Sequence, residues 1–389
     1  MTASAYGGGA TPLTTALIQD PSDVDGVRAE WDALAVLVGA PFGAPAWVEA
    51  WWRHVAPAGA RLSIVVAHAG GELVGVAPFY ASERLGVTEL RLLSGGLASR
   101  LGILAKPQHQ TEFATALART LTADGRRVDA LRWEAVDGVS PWPEWLSAAW
   151  PGDREHRLRE ESRRSAPLLH LAQGSYQDWL AAKSRNFRSQ MRRRRRALED
   201  QGASVRAADS STLERDLGEF WRLHRARWEG RGGSSAADAG TVAMLQQVGA
   251  ELTGSGRFRL WVIDGPAGEA ISAQVFVAAG GTVAYWNGGF DERWAASSPG
   301  TVAILAAVEE AFERGDQLID LGGGEARYKE RLADEDRPVC WSVSYPPGPR
   351  YPLARMRRLP EQTARRGSRV MRERLGQERV NRLRRLIRR

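Results

Sequence analysis

The sequence predicts an α+β protein of two lobes, each a mixed, mostly antiparallel sheet flanked by helices, followed by a basic helical tail. Three observations predict it. The chain has 389 residues, more than one domain of ordinary size, and its 43% hydrophobic and 25% charged residues are the proportions of a chain with a real core. The order of elements expected in the first half recurs in the second. Positive charge, finally, is gathered at one end: residues 350–389 hold fifteen Arg against Glu361, Glu373 and Glu378, a net of +12. The remainder holds 38 basic and 43 acidic residues, so the overall +7 belongs to the tail and the body is mildly acidic.

In the first half, Asp23 is expected to cap a helix carrying Trp31, Leu34 and Leu37, and a second short helix carries Trp47, Val48, Trp51 and Trp52. Residues 62–67 and 72–80 are apolar runs separated by HAGGE, which predicts a β-hairpin. A strand at 88–93, a helix at 111–122 and a strand at 129–134 complete an α+β unit.

The second half repeats that order. Long helical stretches are expected at 176–201, 213–229 and 241–253, then a hairpin of 258–264 and 270–278 around DGPAGE, and a strand at 282–287. A helix at 299–314 and strands at 317–321 and 339–345 finish it. The two hairpins echo one another, which implies an internal duplication with its boundary in the charged stretch PGDREHRLREESRRS. The expected division is a first lobe over 1–160, a second over 161–348 and a tail over 349–389, where Met371, Leu375, Val380, Leu383 and Ile387 recur at roughly helical spacing among arginines.

Composition also excludes several classes. Cys340 is the only cysteine, so an intrachain disulfide and a cysteine metal cluster are ruled out. The N-terminal residues lack the basic and apolar regions of a secretory signal, and no apolar stretch approaches the ~20 residues that span a bilayer. A cytoplasmic location is the expectation. The fifteen Trp are expected mainly in the core. Lysine occurs only at positions 106, 183 and 329 amid abundant arginine, so each marks either a site that needs a compact ammonium or a chance survivor of compositional bias.

The most informative stretch is GGFDERWAASSPGTVAILAAVEEAFERGDQLIDLGGGEARYKE, residues 288–330. Ser298 suits an N-cap, Pro299 the first helical position, and Gly300 and Thr301 keep the first turn slim. Such a turn is either an ordinary well-capped helix start or a seat for pyrophosphate, since exposed amides and the dipole favour an anion there. Its placement after one strand and before another resembles the acyl-CoA-binding motif of the GNAT acyltransferases. More narrowly, the chain resembles the CelD-type (BioF2-like) GNAT acetyltransferases, tandem GNAT lobes related to the Fem-type peptidyltransferases. Gly289-Phe290-Asp291, Ser298-Pro299-Gly300, Gly315, Asp320, Gly322 and Lys329 carry the resemblance, with the helix KSRNFRSQMRRRRRALEDQG and Leu223-His224, Arg227-Trp228. It spans about Trp47 to Tyr345 and is densest from 180 to 330. The sequence departs from the common GNAT pattern in one respect: SPGT stands where a QxxGxG/A loop is usual.

The resemblance implies transfer of an acyl group from acetyl-CoA, or another acyl-CoA, to an amine or hydroxyl of a small-molecule acceptor, with no metal and no covalent intermediate. Ser298, Pro299, Gly300 and Thr301 would then bind the donor. Asp320 is either a base or substrate orienter, or a turn-capping carboxylate. Lys329 would bind an anionic group or stabilise the oxyanion. Tyr328 is either the proton donor to the leaving thiolate or a packed surface residue. Trp286 and Asn287, ending the strand before SPG, His224 and Trp228 on one helix face, and Arg188 are the substrate-binding candidates, with a buried structural role as the alternative for His224.

Eight positive residues lie between Lys183 and Arg196 with no acid among them, and they would attract phosphates. Five consecutive arginines point all round a helix, however, and stacking aromatics are sparse. A helix facing cofactor or substrate is the favoured reading. Two alternatives stay open: a Fem-like transferase whose donor is an aminoacyl-tRNA, and a non-catalytic adaptor whose tail meets nucleic acid or an anionic membrane surface.

Overall fold

The computed structural model describes residues 13–84, 86–152, 156–171, 174–229, 237–324 and 327–357. The basic tail expected after residue 349 lies, from 358 onward, outside the described residues. Two mixed sheets flanked by helices form a tandem α+β fold.

The first sheet begins with β1 (Thr14–Ile18), and helices α1 (Arg28–Leu37) and α2 (Pro45–His54) follow. Asp23 does not cap α1. Asp20 accepts from the Ser22 amide and caps a short 3-10 turn, and Val27 stands before α1 without a side-chain cap. The hairpin β2 (Arg61–Ala69) and β3 (Glu72–Arg84) follows as expected, then β4 (Val87–Leu92), β5 (Leu104–Ala105), α3 (Gln110–Thr122), β6 (Ala130–Asp137) and α4 (Trp142–Ala149). Next come β7 (Arg157–Arg164) and β8 (Pro167–His170), which the sequence did not suggest because RLREESRR lacks an apolar face.

The stretch expected as one helix over 176–201 is two, α5 (Tyr176–Ala182) and α6 (Arg185–Glu199). The break is chemical: Ser184 leaves the helical conformation and its hydroxyl accepts from the Phe187 amide, starting a new helix. Then follow β9 (Ser204–Ala207), α7 (Leu213–Glu229), α8 (Ala239–Leu252), β10 (Phe258–Asp264), β11 (Ala270–Ala279) and β12 (Thr282–Phe290). The last elements are α9 (Pro299–Glu313), β13 (Leu318–Asp320), α10 (Arg327–Leu332), β14 (Glu335–Asp336) and β15 (Val339–Tyr345).

The two sheets have the same plan with one strand traded. Their main paths run β1-β2-β3-β4-β6-β15-β7 and β9-β10-β11-β12-β13-β8-β14. Each has one parallel pair in the middle, β4 with β6 and β12 with β13. With β1–β8 and β9–β15 taken as the repeating units, the strand next to it comes from the other unit: β15 lies in the first sheet between β6 and β7, and β8 in the second between β13 and β14. The final strand, expected to close the second half, is therefore built into the first sheet.

A single apolar cluster runs through both lobes, joining Trp31, Trp47 and Phe79 to Phe220, Trp221 and Val275. The β11–β12 turn also docks on the first lobe. Gly280 has φ +55, and a Cβ there would lie 1.7 Å from the Val36 carbonyl oxygen at the end of α1, so both the turn and the contact require glycine. Arg257 reaches across to Asp32 at 2.7 Å.

Candidate active site

The parallel pair β12–β13 is short. It holds from Thr282–Leu318 to Ala284–Asp320, after which β12 continues to Phe290 while the segment after β13 turns away at Gly322, φ +72. The strands diverge like a wedge, and the sequence-predicted donor and catalytic segments lie along its sides. In the first sheet the corresponding divergence is stapled shut: Arg91 on β4 and Glu134 on β6 form a two-pronged ion pair at 2.8 Å.

At the outer end of β12 lies the start of α9. Ser298 occupies the N-cap position, but at φ +49, ψ +56, a left-handed conformation in which its side chain caps nothing; the hydroxyl turns back toward the Ala295 carbonyl at 3.4 Å. The expected side-chain cap is absent, and the amide of Gly300 is left as an orphan donor of the first turn. Pro299 is buried, and Gly300 and Thr301 are half-buried. The missing Gly300 side chain would stand 3.4 Å from Gln274 Nε2 and 3.6 Å from the Phe290 ring.

Gln274 connects this helix start to the wedge. It is buried in β11, donates to Ser272 Oγ (3.0 Å) and the Gly289 carbonyl (3.1 Å), and accepts from the Tyr285 hydroxyl (3.0 Å). Tyr285 is in turn hydrogen-bonded to Tyr328 on α10, and its ring lies 5.6 Å from Lys329 Nζ. Hydrogen bonds thus join Gln274, Tyr285 and Tyr328, with Gly300 packed against one end of the row and Lys329 beside the Tyr285 ring at the other; these five residues line one path. Three of these were candidates from sequence. Gln274 and Tyr285 were not, although a glutamine inside the apolar run AISAQVFVAA is the kind of buried polar residue that marks a site.

Lys329 is 6% exposed, and its ammonium donates to the carbonyls of Gly322 (3.1 Å) and Gly323 (3.3 Å). Burial pushes its pKa down to about 8, Asp320 opposing and Arg227 reinforcing that fall. Tyr328 is raised to about 12 by burial, so it keeps its proton through the physiological range. Arg227 stands over the Phe290 ring at 5.3 Å and lends positive charge to both tyrosines and to Lys329.

Asp320 is 2% exposed and engaged on both oxygens: Oδ2 by Arg100 Nε at 3.0 Å, and Oδ1 by the Gly322 amide at 2.8 Å. Burial raises its pKa and Arg100 opposes the rise. This geometry is that of a held, turn-forming carboxylate.

The remaining candidates lie around the wedge. Trp286 is the extra residue of a β-bulge, since Val275 pairs with Asn287 and Phe276 with Tyr285. The bulge aims the indole at the first lobe, where it donates to the Leu97 carbonyl at 2.7 Å and packs against Trp47, Phe220 and Trp221. Asn287 accepts from its neighbour Gly288. His224 is 1% exposed among Phe220, Trp221 and Trp228, and burial holds its pKa down to about 4, against a backbone hydrogen bond with Gly288. Trp228 is partly exposed beside it. Arg188 lies apart from the wedge and donates to the carbonyls of Ala181 and Lys183, finishing α5.

Two cavities are present. One of about 480 Å³ is in the first lobe, walled by Trp31, Trp52 and Leu62. Another of about 530 Å³ lies between the lobes and borders the paired end of the wedge, with Thr282, Ala284, Leu318 and Asp320 in its lining beside Arg100 and Phe42. The wedge, with its linked polar residues, is the better match to group-transfer chemistry. Among the described residues no group of three or more His, Cys, Asp or Glu is arranged to hold a metal, and no helix is long and apolar enough to cross a membrane.

Comparison with known proteins bears on this half. Residues 185–330 match the acetyltransferase (GNAT) domain family, so the chain carries a GNAT-type acyltransferase domain. No curated protein matches the sequence. Among solved structures, the chain is similar to FemX at 13% identity and a TM-score of 0.62, covering 88% of this chain and 99% of that one. It is also similar to a conserved protein of unknown function from Bacteroides thetaiotaomicron, at 8% identity and a TM-score of 0.51, covering 85% and 100%. These likenesses concern the fold.

Proposed function

We propose that this chain, through its GNAT-type domain, transfers an acetyl group from acetyl-CoA to an amine or hydroxyl of a small molecule or sugar, and is a cytoplasmic enzyme of the CelD-type (BioF2-like) group. The observation that carries the reading is the start of α9: a helix terminus with no side-chain cap and a glycine in its first turn, with the hydrogen-bonded Gln274, Tyr285 and Tyr328 between it and Lys329. The Gly300 amide fits the pyrophosphate of the donor, with Thr301, whose own amide is held by the Ser298 carbonyl at 3.0 Å, beside it.

The chain's own residues then supply three functions. The wedge and the bulge of β12 orient the reacting carbonyl and exclude water. Lys329, fixed by two carbonyls and still holding a proton at neutral pH, offers positive charge to an oxyanion. Tyr328, with its proton retained, is the donor for the leaving thiolate sulfur. Asp320 supports the turn under Lys329 and touches no reacting atom.

Titration calorimetry with acetyl-CoA tests the reading. The wild type is expected to bind, and Gly300→Trp, which fills the first turn of α9, is expected to bind at least tenfold more weakly, about 1.4 kcal/mol. No heat with acetyl-CoA or longer acyl-CoAs, combined with a salt-sensitive shift on bulk tRNA, would transfer the assignment to an aminoacyl-tRNA donor.

A further inference from the structure

We propose that Arg100, a first-lobe residue, is a positioning residue for Lys329: it holds Asp320, and through Asp320 the glycine turn on which the Lys329 ammonium is seated. The proposal rests on the reading of Lys329 as a catalytic group.

Arg100 itself is held in a left-handed conformation, φ +51, that a non-glycine residue adopts at a cost. Its side chain is 15% exposed and its guanidinium reaches four places. Nε donates to Asp320 Oδ2 (3.0 Å), Nη1 to Asp137 Oδ2 (2.8 Å), and Nη2 to the carbonyls of Ala166 (2.8 Å) and Arg337 (2.7 Å). Asp320 ends β13 and Asp137 ends β6, while Ala166 precedes β8 and Arg337 precedes β15. One cation therefore touches the last residue of β6 and of β13 and the approaches to β8 and β15.

The link to Lys329 takes two further steps. Asp320 Oδ1 accepts from the Gly322 amide at 2.8 Å, which fixes the turn, and the carbonyls of Gly322 and Gly323 accept from Lys329 Nζ. A rigid fork suits this task better than an ammonium, because one group must satisfy two carboxylates and two carbonyls in one plane. Among the described residues, Lys329 faces Asp320 on β13, Arg227 on α7, the Tyr285 ring on β12 and Tyr328 beside it on α10. Of these, Asp320 alone is bonded to Arg100. Removing Arg100 takes the counter-cation from Asp320, whose charge then acts undivided on Lys329 while Asp320 stays ionised, so Lys329 should hold its proton to higher pH.

The scarcity of lysine makes this measurable without substrate. Full-length protein is labelled with an amine-directed acylating reagent across a pH series, and the three lysine peptides are quantified by mass spectrometry, with Lys106 and Lys183 as internal controls. In wild type, Lys329 is expected to become reactive around pH 8. In Arg100→Met its midpoint should rise by at least about half a pH unit, a threefold change in the proton equilibrium, with both controls unmoved. Asp320→Asn should lower the midpoint, and adding Arg100→Met to it should produce no further change. A Lys329 midpoint that stays put in folded Arg100→Met overturns the proposal, and so does an undiminished shift in the Asp320→Asn background. Should Arg100→Met fail to fold, Asp320→Asn decides alone, since an unmoved midpoint there breaks the path. No acyl-CoA is used, so failure of acetyl-CoA binding would remove the proposed function and leave this outcome readable.

Discussion

Lys329 keeps a charge where burial disfavours it. Its pKa falls to about 8, below the 10.5 of a free lysine, because desolvation outweighs the attraction of Asp320. The ammonium therefore loses its proton as pH rises through about 8. If that charge stabilises the oxyanion, turnover should decline on the alkaline side of that value, and Lys329→Met should lower turnover at least tenfold, about 1.4 kcal/mol of barrier, with the fold intact. A steady-state pH profile of both proteins checks this; equal turnover in the variant would take Lys329 out of the reaction. At this scale the sequence was informative where residue type is scarce. Lys329 stood out as one of three lysines. Gln274 and Tyr285 did not, because their importance lies in a contact between neighbouring strands. Arg100 sits in an unremarkable ASRLG loop, and nothing local points to its partner on a strand 220 residues away.

Among the elements, α7 and β12 illustrate how a site is set by close approach. A Cβ on Gly289 would lie 2.8 Å from both the His224 amide nitrogen and the Leu223 carbonyl carbon. These are backbone atoms, which cannot swing aside, so Gly289→Ala should push α7 off the sheet. The expected cost is about 1–3 kcal/mol, read as a fall in the urea midpoint; an unchanged midpoint would mean that the helix is seated elsewhere. Strong local patterns made most elements legible: α7, β10 and β15 lie where the apolar spacing puts them. The weak ones were hidden for physical reasons. β7 is an edge strand whose charges face water, β9 has four residues, and the α5–α6 break depends on the hydroxyl of Ser184. At Ser298 the sequence indicated the right position and the wrong conformation, since a left-handed serine leaves the helix start uncapped.

For the whole molecule, the exchange of β8 and β15 between the units β1–β8 and β9–β15 makes each sheet depend on the other unit. Long-range pairing of this kind leaves no local signature, which is why the repeat was legible and the exchange was not. Removing residues 338–389 should strip β7 of its partner β15 and unfold the first sheet from that end, whereas removing 358–389 should leave cooperative unfolding in place. Tryptophan fluorescence and far-UV circular dichroism would reveal this as a lost or preserved coincidence of transitions. The central claim, that the uncapped start of α9 grips the donor at the mouth of the β12–β13 wedge, is tested most directly by a crystal structure with coenzyme A. The diphosphate should lie within hydrogen-bonding distance of the Gly300 amide and next to Thr301, with the thiol directed toward Tyr285 and Lys329. Coenzyme A seated in the groove between the lobes or in the first-lobe cavity, with the start of α9 untouched, would contradict the account.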